Sequence, residues 1–517
     1  MHPVWRKTFN VTWISLALLT ACGAPDETVP RKPNILIIYA DDLGYGDVGA
    51  YGAAAGLTPN IDRLANEGLL FTDGHSSAAT CTPSRYSLLT GSHAFRRDAA
   101  VLPGDAPLLI PTTTRTVAGL LQSAGYTTGI VGKWHLGLGD GDVNWNVAIA
   151  PGPIEVGFDY SFIIPATGDR VPSVYVENHH VVGLDESDPI QVSYDARIGT
   201  DPTGTSNPEQ LTQTADSQHS DTIVDGISRI GFMTGGTNAR WKDREFPDVL
   251  TAKARQFIEE NKDDPFFLLF SFHDIHVPRV PNERFVGTTN MGPRGDTISQ
   301  MDWVTGRLIQ ILEEHDLDEH TLVIFTSDNG PVLDDGYGDE AVERLGNHEP
   351  AGSFRGGKYS AYEAGTRVPT IVHWPTHVEP GTSDALVSQL DLFASIAALT
   401  DTPLGPEDAP DSLEMLDTWL GRSSEGRPFL IEESYTLALR VGEWKYIRPA
   451  SEVGYEWIRE DKDLESGLVE SDQLFELTQD PSERHNVEAQ EQATVQKLEA
   501  QLDRMVASPA TRDGFHE

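Results

Sequence analysis

Uninterrupted apolar runs recur along the chain, and each ends in a cluster of polar residues. The run Asn34-Ile35-Leu36-Ile37-Ile38-Tyr39-Ala40 has no polar alternation, so it predicts a central strand of a parallel sheet, covered on both faces. Thr58-Pro59 opens a helix that Gly68 closes. A helix over about Thr116–Ala124 ends at Gly125 and leads into a strand at about Thr127–Val131. A helix over 248–261 precedes the strand Pro265–Phe272, and a helix around 298–314 precedes the strand Leu322–Thr326. Strands alternating with helices predict an α/β fold with a large, mostly parallel sheet between helices.

The tail has another rhythm. Phe429–Ile431, Ala438–Val441, Gly442–Ile447 and Gln473–Leu477 predict short strands, and 487–505 a charged helix. Together they predict a small antiparallel sheet with a helix. Residues 150–245 are rich in Gly, Asp and Thr with little periodicity, as in long insertions that shape a binding site. Thr82 as cap, Pro83 at the first position and Gly91 at the end predict a helix that places Cys81 at its positive pole.

The start of the chain carries a different signal. Arg6 and Lys7 precede an apolar stretch, Phe9–Leu19, too short to span a bilayer. Leu19-Thr20-Ala21-Cys22 then resembles a bacterial lipobox; an ordinary secretory signal is the other reading. Both predict export, the first as a periplasmic or cell-surface lipoprotein anchored through Cys22. The expected organisation is a signal peptide at 1–22, a tether at 23–33, a main domain at 34–424 and an α+β subdomain at 425–517.

Of 517 residues, 38 are basic and 79 acidic, a net charge of -41, which excludes a nucleic-acid footprint. An anionic ligand would meet a repulsive field, so a site for one must concentrate its cations locally. The chain has two cysteines. With Cys22 committed to a lipid, Cys81 is neither a staple nor half of a thiol pair.

Chemistry-bearing residues gather just after the predicted strands: Asp41 and Asp42, Lys133 and His135, His273 and His276, Asp328 and Asn329. In open α/β sheets ligands bind outside the carboxyl ends of the strands, so these positions converge at one edge. Asp41, Asp42, Asp328 and Asn329 offer only oxygen atoms, the preference of hard cations such as Ca²⁺ or Mg²⁺. Singly, each segment also suits a solvated turn.

Cys81-Thr82-Pro83-Ser84-Arg85 resembles the Cys-x-Pro-x-Arg signature of type I sulfatases. Asp41–Asp47, Cys81–Gly91, Gly132–Gly137, His276-Val277-Pro278, Asp328-Asn329-Gly330, Arg355–Lys358 and Glu363–Pro369 follow in matching order. Nearly the whole mature chain is similar to the formylglycine-dependent sulfatases of the alkaline phosphatase superfamily.

That resemblance implies one calcium ion held by Asp41, Asp42, Asp328, Asn329 and residue 81, with Cys81 oxidised to formylglycine by a formylglycine-generating or equivalent maturing enzyme. It implies that Arg85, Lys133 and Lys358 hold the modified residue and the sulfate, that His135 hydrogen-bonds the hydrated aldehyde, and that His276 protonates the leaving alcohol. His273 has no assigned role. Taken alone, Cys81 also reads as a buried free cysteine, His135 and His276 as structural histidines, Arg85 as a structural arginine and Lys358 as a solvated lysine.

The chemistry is coherent: a sulfate ester needs its charge neutralised and its leaving group protonated, and a hydrated aldehyde has a second hydroxyl whose deprotonation can expel sulfate. The expected substrate is a sulfated carbohydrate, with Asp169 and Arg170 in the irregular 150–245 segment recognising the sugar. Two alternatives remain: a phosphonate or phosphate ester hydrolase of the same superfamily, and a non-catalytic glycan-binding lipoprotein.

Overall fold

The structure, a computed structural model, describes residues 1–5, 7–8, 32–53, 56–450 and 456–512. The lipobox with Cys22, Arg6 and most of the expected signal and tether lie outside the described residues. The chain divides into residues 1–32 and a second unit, Pro33–Glu517. The described residues of the first carry no helix or strand. No described helix is long and apolar enough to cross a membrane.

The second unit is built on a ten-stranded sheet. Its strands are β1 (Asn34–Ala40), β2 (Leu69–Phe71), β3 (Thr127–Lys133), β4 (Tyr160–Ile164), β5 (Val176–Glu177), β6 (His180–Val181), β7 (Phe266–Ser271), β8 (Thr321–Ser327), β9 (Thr370–His373) and β10 (Gly381–Ser383). They lie in the order β10-β2-β9-β8-β1-β7-β3-β4-β5-β6. The central run from β8 to β4 is parallel, while β9 and β5 join antiparallel on either side.

The uninterrupted apolar runs are explained by helices on both faces. Ile35, Ile37 and Tyr39 of β1 join one core, and Leu36, Ile38 and Ala40 join the other. α1 (Pro59–Glu67), α4 (Phe246–Asn261) and α5 (Gly292–Glu314) cover the second face. α2 (Cys81–Thr90), α3 (Val117–Ser123) and α6 (Leu392–Leu399) cover the first. This is the expected α/β architecture.

The tail forms the expected antiparallel sheet, β11 (Leu430–Glu433), β12 (Leu437–Val441), β13 (Trp444–Ile447) and β14 (Gln473–Glu476). One face packs on α7 (Gln492–Ala507) through Leu439, Tyr446, Leu498 and Leu502. Ala438, Ile447 and Phe475 of the sheet pack on Ala361 and Tyr362. The two parts are also joined by buried charges: Lys445 lies 3.1 Å from Glu363, 3.0 Å from Glu432 and 3.3 Å from Glu483.

Three local expectations shift. The strand expected to stop at Val131 continues through Lys133, so Lys133 is its last residue. The segment 150–245 is not wholly irregular, since β4 adds to the sheet. Thr82 does not cap α2. The helix starts two residues earlier, with extended Thr80 at the cap position and Cys81 first inside. Thr82 Oγ1 instead donates to the His135 carbonyl at 3.1 Å. Gly91 ends α2 as expected, at φ 62°.

Candidate active site

Parallel register brings the strand ends together. Ala40 pairs with Ser327, Tyr39 with Ser271, and Ser271 with Gly132. The residues that follow therefore meet at one sheet edge. Asp42 adopts φ 59° and His135 φ 54°, left-handed conformations uncommon outside glycine, though Asp and His enter them more readily than most residues. After Asn329, the backbone passes so close to Ala364 that a β-carbon on Gly330 would lie 1.7 Å from its carbonyl oxygen. Only glycine fits there.

At the centre, Asp41, Asp42, Cys81 and His276 each offer a donor atom within 4.8 Å of the others. Cys81 Sγ is 3.7 Å from Asp41 Oδ1. Lys133 Nζ donates to Asp41 Oδ2 at 2.6 Å, and Lys358 Nζ to Asp42 Oδ2 at 2.9 Å. Arg85 forks onto Asp328 Oδ2 at 2.9 and 2.7 Å, and its remaining nitrogen donates to Ser271 Oγ and the Lys133 carbonyl. Asp328 Oδ1 accepts from the Asp42 amide at 3.3 Å. Asn329 donates to Asp42 Oδ1 at 2.7 Å, leaving its own Oδ1 buried without a hydrogen-bond partner.

Electrostatics and donor chemistry both suit a hard cation. Burial, then the Asp328 charge, pushes the Asp41 carboxyl well up, with Lys133 opposing; burial also raises Asp42. Burial would raise Asp328 too, but Arg85 and then Lys133 hold it below the usual range. Crowded carboxylates beside a partnerless amide oxygen fit an oxygen-ligated Ca²⁺.

The histidines differ in their partners. The His135 Nε2–H donates to the Leu102 carbonyl at 2.9 Å, and Nδ1 is buried without a partner. Burial, then Lys133 and Arg170, holds this imidazole well below its ordinary pKa, so Nδ1 carries a lone pair. The His276 Nδ1–H donates to the Val277 carbonyl at 2.6 Å, and Nε2 lies 3.8 Å from Asp42 Oδ2. His273 packs edge-on against Phe246, its ring 5.9 Å from that of His276.

Above this floor opens a cleft of about 430 Å³, lined by Cys81, His135, His276 and Lys358 below and by Asp169 and Arg170 on one wall. Arg170 donates to Asp169 and to Thr167 Oγ1 at 2.8–2.9 Å. Fully buried Arg229 anchors that loop, bonding the Gly168 carbonyl and lying 2.6 Å from Asp243. A larger cavity of about 810 Å³, near α6, holds none of these groups.

Sequence reasoning missed several lining residues: Asp216, His219, Asp335, Tyr359, Tyr435 and Lys462. His219 sits 2.7 Å from Asp216 and 3.5 Å from Asp169, and the two carboxylates overcome burial to raise its pKa to about 9. Asp335 lies 3.0 Å from Lys358 and 3.1 Å from Lys462. It follows the Asp328-Asn329 pair in the same loop, which was the only available signal.

The chain matches the family model described as Sulfatase over residues 33–402. An N-acetylgalactosamine-6-O-sulfatase of Bacteroides thetaiotaomicron is 48% identical over 497 residues, covering 94% of this chain and 96% of that protein. Arylsulfatase A of Homo sapiens is 32% identical over 486 residues, 92% of this chain and 86% of its own. A solved structure from work on the metabolism of multiple glycosaminoglycans by Bacteroides thetaiotaomicron has a TM-score of 0.90 at 48% identity, covering 92% of this chain and all of that one.

Proposed function

The chain belongs to the sulfatase family and is a sulfuric ester hydrolase, and from that premise we propose that it removes sulfate from a sulfated carbohydrate, at the 6-position of an N-acetylgalactosamine or galactose unit. The observation that carries this reading is the cleft itself. Its floor joins Cys81, Lys358 and two histidines, and its wall offers Asp169 and Arg170 for the sugar. Identity of 48% across nearly the full length with an N-acetylgalactosamine-6-O-sulfatase supports the position.

Asp41, Asp42, Asp328 and Asn329, together with residue 81, would hold one calcium ion, which supplies positive charge for the ester oxygens and the nucleophile. Formylglycine made from Cys81 by a maturing enzyme supplies, as its hydrate, a hydroxyl nucleophile and a second hydroxyl. Lys133 and Lys358 bind and orient the sulfate, and Arg85 fixes Asp328 and residue 81. Burial, then Lys358 and Lys133, holds the His276 imidazole well below its ordinary pKa, and its Nδ1–H is bonded to Val277. It therefore acts as the acid only in its doubly protonated form: it takes up a proton at Nε2, favoured by the negative charge of the bound ester, and passes that proton to the leaving sugar oxygen. His135 accepts a proton at its partnerless Nδ1. The net reaction consumes one water and yields an alcohol and sulfate.

Turnover of a defined panel tests the reading: 6-, 4- and 2-sulfated monosaccharides, their disaccharides and a phosphonate monoester. Preference for the 6-sulfated galacto sugars is expected, and preference for the phosphonate would replace it with the superfamily alternative. In the same panel Arg170→Ala should lower kcat/KM on the saccharide by roughly tenfold or more, about 1.4 kcal/mol for one charge-assisted contact. A small aryl sulfate, lacking the sugar, should be affected much less. Equal loss on both would instead mean that the Asp169–Arg170 pair only holds its loop.

Residues 34–424 form the catalytic domain in this proposal and 425–517 the subdomain. The lipobox-like Leu19–Cys22 makes the protein an exported lipoprotein, anchored but not membrane-spanning. Cys22→Ala should abolish lipid labelling and detergent-phase partitioning; unchanged partitioning would overturn the anchor.

A further inference from the structure

Lys358 sits between two carboxylates. Its Nζ donates to Asp42 Oδ2 at 2.9 Å and to Asp335 Oδ2 at 3.0 Å. Asp42 already serves the proposed cation. Asp335 has no part in that scheme, and alone it would cancel the charge Lys358 must offer an anion. Its other oxygen, however, is taken. Lys462 Nζ lies 3.1 Å from Asp335 Oδ1, with the Lys462 side chain only 6% exposed. The Tyr359 hydroxyl completes the cluster, 3.3 Å from both carboxylate oxygens.

Charge counting shows why the second lysine matters. On the floor Asp41, Asp42 and Asp328 are matched by Arg85, Lys133 and Lys358. Asp335 adds a carboxylate that no side chain of this group matches and that would offset part of the positive charge the proposed cation brings, and Lys462 offsets that carboxylate. In a chain of net charge -41, an anionic substrate depends on such local balance.

Both partners are held rigidly. Buried Arg279 clamps the loop carrying Asp335, donating to the Val332 and Leu333 carbonyls and to Asp339 at 2.7–2.9 Å. The segment carrying Lys462 comes from the C-terminal part and is laced onto the stretch around Lys358. The Ala361 amide donates to the Ser466 carbonyl, Ser360 Oγ donates to the Glu465 carbonyl, and Arg355 forks onto the Glu465 carboxylate.

We propose that Lys462 is a positioning residue of the sulfate pocket: by holding the far oxygen of Asp335, it leaves the charge of Lys358 directed at the bound anion. The C-terminal part thereby completes the catalytic site. This rests on the sulfatase reading, with Lys358 as a sulfate-binding group.

A charge-removal cycle on the full-length mature enzyme tests it, using a small aryl sulfate, inorganic sulfate as competitive inhibitor, and thermal melting. Lys462→Met should lower kcat/KM by roughly tenfold or more and weaken inhibition by sulfate comparably, since the loss is of anion binding. Asp335→Asn/Lys462→Met should restore both to within about threefold of wild type, because no uncompensated carboxylate remains. A structural role alone would lower the melting temperature and leave inhibition by sulfate, read well below that temperature, as in wild type. The proposal is overturned if Lys462→Met keeps wild-type kcat/KM and sulfate inhibition, or if the double variant is no better than the single. Wild-type enzyme inactive on every sulfate ester would instead remove the sulfatase reading.

Discussion

Cys81→Ala is expected to abolish sulfate ester hydrolysis, by roughly 10⁴-fold or more, while leaving the melting temperature within a few degrees of wild type. The fold is spared because the change removes one buried sulfur whose polar contact is a 3.7 Å approach to Asp41. The chemistry is not spared. Burial pushes the Cys81 thiol well up, more than Lys133 and Lys358 draw it down, so the unmodified side chain is a neutral thiol. Such a thiol is a poor nucleophile, and it has no second hydroxyl through which sulfate could leave. Cys81→Ser should be equally inactive in a host whose maturing enzyme accepts only cysteine. The intact mass of the peptide carrying residue 81, measured on active protein, separates the two states directly. Full activity of Cys81→Ala would end the formylglycine mechanism, and turnover by protein with an unmodified thiol would do the same.

The fold was legible where both faces of a strand are buried. All seven residues of Asn34–Ala40 are buried, so the run has no alternation and reads as a central parallel strand. The same logic located Phe266–Ser271 and Thr321–Ser327, and with them the sheet edge where Asp41, Asp42, Asp328 and Asn329 meet. The short outer strands were not legible. Leu69–Phe71 and Gly381–Ser383 are three residues long, too short to carry a period. The sequence pointed to Thr82 as the cap of α2; the earlier start is tertiary, because Thr82 bonds the His135 carbonyl. Lys462 was least legible of all. It stands in Arg459-Glu460-Asp461-Lys462-Asp463, which reads as a solvated charged stretch, and its burial comes from Asp335, distant in sequence. Charge pairing across loops has no periodicity, so Asp335 beside Lys358 and His219 beside Asp169 could not be read from the chain.

Asp328→Ala is expected to lose both the bound calcium and turnover, the latter by roughly 10³-fold or more. Two effects combine. The carboxylate is one of the few oxygen groups available to a cation, and without it Asp41 and Asp42 have a weaker ion to offset their repulsion. It is also the anchor of Arg85, which forks onto one of its oxygens from a side chain 4% exposed. Removing the anchor leaves a buried guanidinium uncompensated, a change that costs about 3–5 kcal/mol in comparable pairs. Ala alone would therefore confuse lost metal with lost stability. Asp328→Asn separates them: an amide oxygen still accepts from Arg85 and keeps the shape, but the negative charge is gone. Metal content of the purified protein and calcium titration calorimetry should show loss of the ion in both variants, with the larger drop in melting temperature for Ala. If Asp328→Asn retains one calcium per chain and wild-type turnover, Asp328 serves Arg85 rather than the ion, and the cation site contracts to Asp41, Asp42, Asn329 and residue 81.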